Sequence, residues 1–211
     1  MSSVADRVAQ HYTMTTADTA KLADLLAKAY LTAKVTAYRK ATSTASTVIS
    51  LKHPWTPTPA DAEKAQAWAK QQVESIADTY LDTIKSLIDT QMTTASATTE
   101  GLIGELIKAT ALAKGITSGV KTFATWKAPQ IANVATNTGA NDGTKQFIAD
   151  ALDEADEDDA NGVRVRVVPD ESSSDECADY AGNTYSLEDS MDLPAFPIHP
   201  NCPHTLEVYT V

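Results

Sequence analysis

Glycine, aromatic residues and cysteine are all scarce in this 211-residue chain: eight glycines, 6% Phe, Trp and Tyr, and two cysteines. With so few large rings and a 43% hydrophobic content rich in alanine, the core is expected to come from closely packed helices rather than a thick β-sandwich. No run of about 18 apolar residues occurs, which excludes a membrane-spanning helix. The N-terminus Met-Ser-Ser-Val-Ala-Asp-Arg has no basic start followed by an apolar stretch, so no secretory signal is expected. Two cysteines without an export signal point to a reducing compartment, with the thiols free or on a metal. No glycine-rich phosphate loop, Walker pattern or dinucleotide fingerprint is present.

Basic residues are nearly missing from one region. Fifteen acids face only Arg164 and Arg166 between Asp150 and Asp192, while residues 1–149 carry fifteen Lys and Arg against twelve acids. The overall charge of −11 therefore belongs to the C-terminal part, which lacks the clustered positive charge of a duplex-binding surface. The run Asp153 to Asp159 reads as a solvated, self-repelling helix end; a calcium loop would need a glycine placed otherwise than Gly162.

What the chain does have is helical periodicity. Leu22, Leu25, Leu26, Ala29, Tyr30, Ala33, Ala37 and Tyr38 recur at helical spacing, predicting a helix from about Asp18 to Thr47, with a shorter one at Val4 to His11. Three prolines in His53 to Pro59 give a rigid turn. Thr58 and Asp61 then form a capping pair for a second long helix, whose stripe runs from Trp68 through Val73 and Ile76 to Ile88. Further helices are expected from Glu100 to Gly115, Thr117 to Trp126 and Pro129 to Val134. Asn141-Asp142-Gly143 reads as a break before a last helix from Thr144 to about Ala155. Short breaks between helices predict a bundle.

After Gly162 the period changes. Val163-Arg164-Val165-Arg166-Val167 and Thr205 to Val211 alternate as half-buried strands, with Thr184-Tyr185-Ser186 as a candidate third. Between them lies a proline-rich loop holding both cysteines and two of the four histidines. The predicted class is α+β: a mainly helical N-terminal bundle over residues 1–155, then a small β/loop unit over 156–211.

The chemistry-bearing residues concentrate in that loop. Cys177, His199, Cys202 and His204 are types that fill a closed tetrahedral zinc site, structural rather than catalytic. The alternatives are an ordinary packed loop with buried cysteines, or a disulfide. A thiolate–imidazole pair at Cys202 is the residue set for nucleophilic catalysis, but no oxyanion hole is recognisable.

The tail, roughly residues 130–211, resembles the C-terminal part of the phage Mu F-like minor head proteins, also called phage head morphogenesis proteins. The matching pieces are Val163–Val168, Ser174-Asp-Glu-Cys177, Asp179-Tyr-Ala-Gly182, Pro194-Ala-Phe-Pro197 and His199-Pro-Asn-Cys202-Pro-His204, closed by Thr205–Val211. Upstream, Ile131 to Gly143 is similar to the family's helix that ends in Asn-x-Gly. The chain departs from the family pattern at Ser174 and His204, each standing where the family has cysteine, and in lacking the helix's Arg-Thr-Glu. The resemblance implies a structural protein rather than an enzyme. It would be a minor head protein attached to the portal, with the major capsid or scaffolding protein and packaged DNA as further partners and no membrane. It would assemble in the host cytoplasm and stay in the virion, inside the head near the portal vertex. The readings from other classes are a zinc- or thiol-dependent hydrolase or toxin on the same tail, and a helical adaptor.

Overall fold

The computed structural model describes residues 16–75, 132–169, 175–198 and 202–211. The helices expected at Val4–His11, Glu100–Gly115 and Thr117–Trp126, together with His199, lie outside these residues. The chain divides into two compact units, Met1–Ala23 with Lys70–Pro129, and Asp24–Ala69 with Gln130–Val211. The second unit holds the sheet. No described helix is long and apolar enough to cross a membrane.

The described helices come first. α1 spans Thr16–Ala45, ending in a turn as its apolar spacing gives way to Ser and Thr. The described part of α2 covers 59–75 and starts on the capping pair: Asp61 accepts from the Thr58 backbone N–H at 3.0 Å and its hydroxyl at 2.8 Å. α3 is one continuous helix over the described residues 132–154, where the sequence predicts two helices separated by a break at Asn141-Asp142-Gly143. The reason is tertiary. A Cβ at Gly139 would collide with the Tyr30 carbonyl and one at Gly143 with the Lys34 carbonyl. Both glycines let α3 lie backbone to backbone on α1, and burial of that contact outweighs glycine's poor helix propensity of about 1 kcal/mol.

Past a short acidic helix, α4 (Glu157–Asn161), come β1 (Val163–Val167), α5 (Asp175–Ala178), β2 (Thr184–Tyr185), α6 (Leu187–Met191) and β3 (Leu206–Thr210). The sheet is antiparallel in the order β2-β1-β3, with Val165 opposite both Tyr185 and Val208. The alternation seen in the sequence sets its faces: Val163, Val165 and Val167 are fully buried and Arg166 is exposed. Gly182, at φ +78°, closes the turn before β2, a backbone conformation that only glycine adopts without strain. Its N–H donates to Val167 O. The fold is α+β, with helices from the N-terminal part packed on a small antiparallel sheet. One core joins them: Tyr38, Ala41, Ala45 and Ile49, then Phe147, Ile148 and Ala151, and the inward face of the sheet.

Candidate functional site

The proline-rich loop is positioned by α3, one side chain per turn. Asn137 Nδ2 donates to Cys202 O at 3.2 Å, Asn141 Nδ2 to His204 O at 3.3 Å, and Thr144 Oγ1 to Leu206 O at 3.3 Å. Asn141 Oδ1 in turn accepts from Leu206 N at 2.7 Å. Helical spacing puts 137, 141 and 144 on one face, and that face runs along residues 202–206. The segment's backbone would otherwise be buried with its polar groups unpaired, a cost of about 1–3 kcal/mol per group. This polar ladder was legible only as three small polar residues at helical spacing, and sequence reasoning missed it.

Cys177, Cys202 and His204 all lie in the core, each no more than 2% exposed. Neither cysteine is in a disulfide. Nδ1 of His204 is 2.8 Å from Val168 O; a carbonyl only accepts, so Nδ1 is the donor of this bond. The ring stands edge-on to Phe196, centroids 6.4 Å apart, and Phe196 meets Tyr180 in the same manner at 5.9 Å. Among the described residues no three of His, Cys, Asp and Glu form a group that could hold a metal ion. The three described members of the Cys177–His199–Cys202–His204 set are thus core residues that do not by themselves make a zinc cage. A tetrahedral site needs all four donors together.

The other face of α3 carries carboxylates. Asp142 accepts from the Tyr30 hydroxyl. Asp150 accepts from the Tyr38 hydroxyl at 2.7 Å and from Trp55 N at 3.2 Å. Glu154 accepts from the backbone N–H of Lys52 and His53, and meets His53 Nδ1 at 3.1 Å. Glu154, the second residue of the acidic run, therefore straps the turn before α2 onto α3. Burial, then the bond to Asp150, pushes the Tyr38 hydroxyl up to about 12. Beside this strap Lys34 pairs with Asp61 at 2.9 Å and lies over the Trp55 ring, 4.7 Å from its centroid. Burial alone would raise the Asp61 carboxyl, but hydrogen bonds from Lys34 and Thr58 prevail and hold it at about 2.

On the outer face of the sheet, Glu207 takes Arg166 at 2.7 Å and Lys40 at 3.0 Å. Those two hydrogen bonds hold its carboxyl below the usual range. Lys145 reaches from α3 to Leu193 O at 2.7 Å, and burial lowers its ammonium. The arrangement is a set of braces. Comparison with protein-family models, curated proteins and solved structures finds no match to this chain.

Proposed function

We propose that this chain is a bacteriophage minor head protein, a structural component attached to the portal that acts in head assembly and in genome packaging and delivery. The observation that carries the reading is the order of pieces in the tail: the strand Val163–Val167, the short helix bearing Cys177, the turn at Gly182, the proline-rich stretch, His199-Pro-Asn-Cys202-Pro-His204, and the closing strand. This order resembles the phage Mu F-like family piece by piece. Two further features support a structural role. Asn137, Asn141, Thr144 and Lys145 of α3 brace the backbone of residues 193–206, and Glu207 on the closing strand is held by both Arg166 and Lys40. The partners are the portal protein and, beyond it, the capsid or scaffolding protein and DNA.

The test is biochemical. The chain should be found in purified virions of the phage that encodes it and should co-purify with the portal protein; its absence from virions sinks the reading. The four-ligand zinc set is tested on the same preparation. One zinc per chain, lost in Cys202→Ala, would mean that His199 completes a site. Without metal, Cys202→Ala is expected to cost only about 1–2 kcal/mol, as a modest loss of buried volume.

A further inference from the structure

The outer edge of β3 is half closed. Val168 N donates to Thr205 O and Val211 N to Gly162 O. In an antiparallel ladder of this register, the hydrogen-bonded pairs are then Arg164 with Tyr209 and Arg166 with Glu207. Leu206, Val208 and Thr210 must aim their N–H and C=O groups away from β1. At Leu206 both groups are taken, by Asn141 and Thr144. At Val208 and Thr210 no described residue takes them. Yet Val208 is 5% exposed, and a buried backbone pair without partners is rare in folded proteins.

Beside this edge runs a groove of about 660 Å³ between α1, α3 and residues 205–208. Its walls are small: Ala33, Ala37 and Ala41 on α1, and Thr136 and Ala140 on α3. The charged groups lining it are Lys28, Lys40 and Glu207, and Glu207 is held by Lys40 and by Arg166 from the sheet. In a chain of net charge −11, the groove is locally basic.

We propose that this edge takes an extended segment of a partner protein as a fourth strand, with small apolar side chains alternating with acidic ones. The open N–H and C=O groups of Val208 and Thr210 supply the pairing, as in recognition by strand addition. The alanine and threonine walls admit small side chains, and Lys28 and Lys40 select an acidic segment. A single chain needs about 4.8 Å beside β3. A second copy would have to bring its own edge into the groove together with the helices that flank it. The inference rests on geometry and charge alone, so its test is independent of any portal experiment.

The test uses the full chain and the synthetic peptide acetyl-Ser-Val-Asp-Val-Ser-Val-Asp-amide, with amide hydrogen exchange read by NMR. Without peptide, the Val208 and Thr210 N–H groups should exchange at least tenfold faster than that of Leu206, and peptide should slow both at least tenfold. Thr210→Pro removes an outward donor and no β1–β3 bond; it should weaken peptide binding at least tenfold. Lys28→Glu, at an exposed position, should also weaken it and should leave the fold intact. Protection of Val208 and Thr210 in the free chain, binding unchanged in Thr210→Pro, or no protection at millimolar peptide would each overturn the proposal. Protection that grows with protein concentration and without peptide would assign the edge to a second copy instead.

Discussion

The two faces of α3 do the same job with different chemistry. One face meets residues 202–206 through Asn137, Asn141 and Thr144; the other meets α1 and the turn before α2 through Asp142, Asp150 and Glu154. A strand edge presents donors and acceptors alternately, and a carboxylate can only accept. Asn141, which gives to His204 O and takes from Leu206 N, suits that edge as no ionised side chain does. Tyrosine hydroxyls and the N–H groups of Lys52, His53 and Trp55 are donors, so acceptors suffice on the other face. A neutral face is indifferent to pH, whereas Glu154 on the other face, its carboxyl held below the ordinary value, is not. The comparison shows that the partner's donor–acceptor pattern, rather than burial alone, decides which side chain can brace it.

The largest effect should come from removing the close approach on which the carboxylate face depends. Gly143→Ala drives a methyl into the Lys34 carbonyl and should cost about 3 kcal/mol, although alanine is the better helix former. Denaturant unfolding measures the loss. Hydrogen exchange should show Trp55 N–H loosened while Leu206 N–H, on the other face, stays protected. A stability unchanged or raised would mean that the helices can part without penalty.

A smaller effect is expected on the neutral face. Asn141→Ala leaves the Leu206 N–H and His204 C=O buried without their partner and should cost about 2 kcal/mol. Asp150→Asn keeps an acceptor for Tyr38 and Trp55 and should cost about 1 kcal/mol or less. Equal losses in the two variants would erase the distinction between the faces.

The smallest effect is the pH dependence. The Asp61 carboxyl is lowered from 3.8 to about 2 in the fold, so its contribution is complete above its unfolded value and fades as pH falls from about 4 toward 2. Glu154, held below its ordinary value by the His53 and Lys52 N–H groups against the opposing effect of burial, fades in the same direction. Tyr38 is raised from 10.0 to about 12, so its contribution holds below pH 10 and is lost as pH climbs toward 12. Stability should thus decline at both extremes, and exchange should loosen Lys52, His53 and Trp55 before Leu206. A Leu206 N–H released first in acid would contradict the assignment of acid sensitivity to Asp61 and Glu154.

Local pattern made much of this protein legible. The apolar spacing of Leu26, Tyr30 and Tyr38 specified α1, the Thr58/Asp61 pair marked the start of α2, and the Val-Arg alternation specified β1 and its buried face. These are properties of neighbours in sequence, set by periods of 3.6 and 2. Asn141-Asp142-Gly143 is the instructive case, since the same three residues signal a turn in isolation. In the fold Asn141 braces the strand edge, Asp142 holds Tyr30, and Gly143 admits the α1 backbone; each role needs a partner more than 60 residues away in sequence. Likewise, the sequence brought Cys177, Cys202 and His204 to attention, but only packing decided that they are core. The sequence by itself determined the α+β class, the strand faces and the helix starts, because each depends on local period and capping. Tertiary structure alone decided that α3 is continuous, which helices share a core with the sheet, and which edge of β3 stays open. Those outcomes depend on where distant backbone groups and carbonyls come to rest, and no local pattern encodes that.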